Sequence, residues 1–177
     1  EALQYASPEL QADREVVLAA ISNEGVALEY ASRELRSDRE VVLAAVYNNG
    51  PALYYASPEL KADKEVVLAA VSKKGSALQY ASPELQADRE VVLTALSNFG
   101  RALLCSPELQ ADREVVLTAV NNDIKALKHA SPELRVEFRN KTRKQINELL
   151  REQSKVYINK EEEEKDEECP ICLENYG

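Results

Sequence analysis

The side chains in this sequence best suited to chemistry are three cysteines, one histidine and a recurring pair of carboxylates. Cys169 and Cys172 form a C-x-x-C pair, and thiolates at that spacing can share one tetrahedral Zn²⁺ while the backbone between them folds around the sulfurs. Two ligands alone hold the ion weakly. Zinc is therefore expected only in an intact parent protein, and no cofactor is expected to bind tightly to these 177 residues. A redox reading of the pair would need a thioredoxin-like βαβ pattern, which the sequence lacks. Cys105 falls in a shortened repeat where "LC" replaces "QYA", so its slot is ambiguous, and a small buried residue is expected there rather than a reactive thiol. His129 takes a slot otherwise held by Tyr5, Tyr30, Tyr55 and Tyr80, so a histidine-based triad has only a packing position to draw on. The carboxylate pair Asp13/Glu15 recurs as Asp38/Glu40, Asp63/Glu65, Asp88/Glu90 and Asp112/Glu114. Catalysis needs one asymmetric site, whereas a cap is needed once per helix, so these pairs are expected to cap helices and no catalytic residue is expected.

The elements that carry these residues follow from composition and repetition. With 22 basic and 31 acidic residues the net charge is -9, which opposes a phosphate backbone and makes nucleic acid an unexpected partner. No apolar run approaches the roughly 18 residues of a membrane span. No signal sequence is visible and the cysteines do not form a secreted-type disulfide framework, so a cytoplasmic or nuclear location is expected. The first residue is Glu1 and the chain contains no Met, which leads us to expect a truncated or processed start with at least one partial repeat upstream.

The phrase ALQYASPELQADREVVLAAISNEG at Ala2 returns at Ala27, Ala52 and Ala77 with a step of 25 residues. A copy one residue shorter starts at Ala102, and a sixth begins at Ala126 before it departs from the pattern. Within a unit, Asp13 is an N-cap candidate, Glu15 places a carboxylate in the first turn, and Gly25 is expected to supply a left-handed residue that ends the helix. That predicts a helix of roughly three turns, with Val16, Val17, Leu18, Ala20 and Ile21 across a broad apolar arc. Val26 to Ala31 can form a short second helix, and Ser7-Pro8 reads as a cap and first position of a single turn. One unit cannot bury its own apolar residues, so copies must stack. The expectation is an all-α fold, an α-solenoid of about five two-helix repeats of 25 residues with a C-terminal capping helix.

The pattern ALxYASPELxxDxEVVLAAVxxxG resembles the short helical repeat of domain of unknown function 4116 over residues 1 to about 134. The resemblance implies the fold and, by analogy only, a binding role.

Information for a protein partner must lie where the copies differ. The turn before each glycine and the exposed slot of the short helix vary most, and Tyr47, Tyr54 and Phe99 are the aromatic anchors there. Solvated loops free to drift would show the same variation.

From Arg135 the repeat dissolves. Leu134, Phe138, Ile146, Leu149, Leu150 and Tyr157 fall near one face with Arg139, Lys141, Arg143 and Lys144 mostly elsewhere, so residues 135–158 are expected to close the array as a capping helix. A dimerising helix is the alternative, and the basic cluster could also touch an acidic partner. Residues 159–168 hold the run KEEEEKDEE and read as an acidic linker. After it, CPICLE at Cys169–Glu174 closely resembles the opening of a RING-type zinc finger. The resemblance implies Cys169 and Cys172 as the first two zinc ligands and Ile171 as a contact to a ubiquitin-conjugating enzyme, with residues 169–177 an incomplete start of that module. It suggests a parent that is a RING-type E3 ubiquitin ligase with the solenoid selecting substrates. The alternative is a non-catalytic interaction scaffold without ubiquitin chemistry.

Overall fold

The computed structural model describes residues 2–139, 141, 145 and 148–152, and all that follows concerns these. They form an all-α solenoid with no strand among them. The helices are α1 (Pro8–Gln11), α2 (Arg14–Asn23), α3 (Arg39–Asn48), α4 (Pro58–Lys61), α5 (Lys64–Lys73), α6 (Pro83–Gln86), α7 (Arg89–Leu96), α8 (Arg113–Asn122) and α9 (Pro132–Phe138). Between the long ones run six-residue 3-10 segments at Gly25–Tyr30, Gly50–Tyr55, Gly75–Tyr80, Gly100–Cys105 and Ile124–His129. Each repeat thus has its two helices and, beside them, the single SPEL turn expected from Ser7-Pro8, closed on itself as α1, α4 and α6.

Long helices stack in chain order, α2 on α3, α3 on α5, α5 on α7 and α7 on α8, and the 3-10 segments stack beside them in the same order. The core lies between the two rows. From α3 it takes Val41, Val42, Ala45 and Val46, and from the following segment Ala52 and Leu53, all without solvent exposure. Stacking accounts for this burial. Val16 and Ala20 of α2, the first long helix of the sequence, are only half-buried, whereas the equivalent Val41 and Ala45 are fully buried between neighbours.

Two polar devices couple adjacent repeats. The aspartate before each long helix caps it, as when Asp63 Oδ1 accepts from the N–H groups of Glu65 at 2.9 Å and Val66 at 3.1 Å. Its other oxygen receives the basic residue that opens the preceding long helix, Arg39 Nε at 3.0 Å. The same cation reaches Glu65, and the pattern repeats as Arg14 to Asp38 and Glu40, Lys64 to Asp88 and Glu90, and Arg89 to Asp112 and Glu114. The second device is an asparagine near the end of α3, α7 and α8. Asn98 Nδ2 donates to the carbonyls of Val71 and Ser72, both at 3.2 Å, and Asn48 Nδ2 to that of Ser22 at 3.0 Å. Their Oδ1 atoms accept from the N–H groups of Gly75 at 2.6 Å and Gly25 at 3.3 Å.

The glycines differ from the sequence expectation. None of Gly25, Gly50, Gly75 and Gly100 has a left-handed backbone. They are required because the next long helix passes too close: a Cβ on Gly25 would stand 2.6 Å from the Ala45 carbonyl oxygen, and one on Gly100 2.7 Å from that of Ala119. In the last 3-10 segment the slot holds Ile124, which is 56% exposed.

At the C-terminal end, α9 starts within the sixth SPEL turn, ahead of the expected boundary at 135, and buries Leu134 and Phe138. The Arg113 guanidinium lies over the Phe138 ring, 5.6 Å from its centroid. The repeats and α9 form one compact unit that ends at Asn140, and Lys141 opens a second. In the second unit Gln145 and residues 148–152 are helical. Residues 153–158 of the expected cap and all of the expected linker lie outside the described residues.

Candidate functional site

The row of 3-10 segments carries the repeat's variable slots. Its last position is Tyr30, Tyr55, Tyr80, Cys105 and His129 in successive units, which settles the slot of Cys105 as that of the tyrosines. Burial pushes the Tyr55 hydroxyl up from its usual pKa, and the Glu29 carboxylate that accepts its hydrogen bond adds to the shift. Burial likewise pushes the Cys105 thiol up, so it stays protonated near neutral pH. His129 is held below its usual value by burial first, then by the positive charges of Lys128 and Arg101.

One position earlier the side chains point outward, and here Tyr54 builds a cluster. It is 57% exposed, yet its ring packs edge-on against Tyr55 at 5.1 Å and Tyr80 at 5.2 Å between centroids. Lys61 Nζ sits 5.4 Å from the same centroid. Edge-to-face rings and a cation over a ring face attract through the ring quadrupole, so the cluster is a preordered apolar surface with a positive rim. The Lys61 ammonium is lowered in pKa by burial and then by Arg36 beside it, which marks this rim as a place where two cations face each other. The sequence reading missed Lys61 and Arg36, although their slot reads Gln11, Arg36, Lys61, Gln86 and Gln110 along the chain.

Tyr47 and Phe99 lie elsewhere. Tyr47, 63% exposed at the end of α3, lines an open groove of about 470 Å³ with Leu68, Ala69 and Lys73 of α5. Phe99 is half-buried in the turn between rows, its Cβ 2.7 Å from where a Cβ on Gly75 would stand. Among the described residues no ring contact joins Tyr47, Tyr54 and Phe99 to one another. The described residues also contain no group of three or more His, Cys, Asp or Glu side chains placed to hold a metal ion. Cys169, Cys172 and Ile171 lie outside the described residues. No described helix is long and apolar enough to cross a membrane.

Against known families, the model described as Domain of unknown function (DUF4116) matches residues 1–36, 38–86 and 88–135. No curated protein and no solved structure matches the chain.

Proposed function

The chain belongs to the domain of unknown function 4116 family, a membership that brings no reaction with it, and we propose that its repeats form a protein-binding array in a RING-type E3 ubiquitin ligase. The observation that carries the binding half is the exposed Tyr54 cluster. A free tyrosine ring on a surface costs entropy to immobilise, but this one is already held by Tyr55, Tyr80 and Lys61, so a partner that covers it gains area at little ordering cost. The ligase half rests on the resemblance of Cys169–Glu174 to a RING opening. In a chain that carries the remaining ligands, Cys169 and Cys172 would hold zinc and Ile171 would touch the ubiquitin-conjugating enzyme. The repeats would then hold the substrate close to the charged enzyme.

Two experiments test the halves separately. Peptides selected from a displayed library on the full chain should lose roughly tenfold or more in affinity on the Tyr54→Ala variant, the weight of a central aromatic anchor. Selected peptides that bind both forms equally would remove Tyr54 from the surface. Ubiquitin transfer by the parent protein should be lost on Cys169→Ala; unchanged transfer would remove Cys169 from the role given to it, and no transfer by the unaltered parent would leave a non-catalytic scaffold.

A further inference from the structure

A second surface lies at the C-terminal end of the array. Ile124, Lys125, Leu127, Lys128, Arg135 and Arg139 line an open groove of about 450 Å³ between the last 3-10 segment and α9. Its floor is apolar and its walls carry four cations, in a chain whose net charge is -9. Two of the slots they occupy are not basic in the early repeats. The slot of Lys125 reads Val26, Pro51, Ser76 and then Arg101, and that of Lys128 reads Glu29, Tyr54, Gln79 and Leu104. Unlike Arg14, Arg39, Lys64, Arg89 and Arg113, which bridge to carboxylates of the next unit or of α9, none of these four forms an ion pair among the described residues. Ile124 is 56% exposed in a slot that holds glycine in the preceding units.

From this we infer that the groove binds an acidic segment of a partner protein, one in which an apolar side chain is flanked by carboxylates. Charge complementarity selects the acids: four cations in one groove, with no ion pair among the described residues, attract carboxylates strongly at short range. Ile124 and Leu127 select the apolar residue between them. The lining contains no aromatic ring on which a base could stack. The inference stands on residues other than Tyr54 and does not depend on ubiquitin chemistry.

The test is fluorescence anisotropy at about 0.15 M salt with the full chain and a labelled peptide of four glutamates around one leucine. The same titration is run on a chain with Glu161–Glu164→Gln, so that competition from its own acidic run does not hide binding. Saturable binding is expected, weakened roughly tenfold or more by Lys128→Glu with Arg135→Glu, weakened by Ile124→Ser, and unchanged by Tyr54→Ala. All four positions are solvent-exposed, and circular dichroism confirms that the variants fold. No saturable binding to either chain would overturn the inference, as would equal binding by the charge-reversed variant. It would also fail if a labelled single-stranded DNA or an anionic vesicle bound and the peptide did not, or if light scattering showed the groove closed by a second copy of the chain.

Discussion

At the scale of single residues, the repeat is held by side chains that each do two things. The capping aspartates use one oxygen for their own helix and the other for the cation of the unit before. Asn48 and Asn98 each accept from a glycine N–H and donate to a carbonyl in the preceding unit, and Asn122 donates to the Leu96 carbonyl. One unit breaks this second pattern, because the slot of Asn23, Asn48, Asn98 and Asn122 holds Lys73. An amide there would face the Gly50 N–H as Asn48 faces that of Gly25, so Lys73→Asn should stabilise the protein by about 1 kcal/mol. Urea denaturation of Lys73→Asn beside Lys73→Ala separates the gained amide from the lost lysine. Equal midpoints for the two would mean that the asparagines are not a source of stability. The aspartate cap was legible from sequence because it acts within one turn. Its cation was not, since Arg39 and Asp63 are 24 positions apart and meet only when units stack. The glycines were legible as obligatory but for a different reason from the true one: helix ends commonly need a left-handed residue, and here the constraint is the carbonyl of the next helix.

At the scale of elements, a long helix is tied to its predecessor through its cap, so its stability should follow the charge of that cap. The Asp88 carboxyl is held below the usual carboxylate range by the hydrogen bond from Lys64 first, then by the helix N–H groups of Val91 and Glu90, against the opposing effect of burial. Glu84 in the preceding turn is lowered too, by its own backbone N–H and the Ser82 hydroxyl. A carboxylate whose folded pKa is depressed stabilises fully above its unfolded pKa, and the gain is lost as pH falls through the folded value. The thermal midpoint should therefore be flat from about pH 7 to about pH 5 and fall below about pH 4. Asp88 and Lys64 are 26% and 44% exposed, so solvent screening keeps the Asp88 share to about 1 kcal/mol or less. Asp88→Asn should lower the midpoint at neutral pH and flatten the acid limb; an unchanged slope below about pH 4 would mean that other carboxylates dominate. The helices themselves were readable from caps and the apolar arc. The 3-10 form of the second helix was not, because Gly50–Tyr55 is too short for its composition to choose between helix types.

At the scale of the whole array, stability is a sum over units and their junctions, so the weakest junction decides where the chain first comes apart. Four junctions share a backbone bond in which the serine N–H of one turn donates to a carbonyl of the previous turn: Ser32 to Gln11, Ser57 to Arg36, Ser82 to Lys61 and Ser131 to Gln110, at 2.8 to 2.9 Å. In the shortened fifth unit the one-residue loss moves Pro107 into the serine slot, and proline has no N–H to give. Ser106 moves into the slot of Ala31, Ala56 and Ala81, where it is 1% exposed and its Oγ is buried without a partner. A buried hydroxyl left unsatisfied costs about 1 to 3 kcal/mol, and the lost backbone bond adds about 1 kcal/mol. The junction between α7 and α8 should therefore open first. Native-state hydrogen exchange should show amides of α8 opening at lower free energy than those of α5. The variant Ser106→Ala with Pro107→Ser removes the orphan hydroxyl and restores the donor, so it should raise the α8 protection towards that of α5. Equal protection of α5 and α8 in the unaltered chain would show that the ion pair of Arg89 with Asp112 and Glu114 and the buried valines across the junction already make up for the shortened turn.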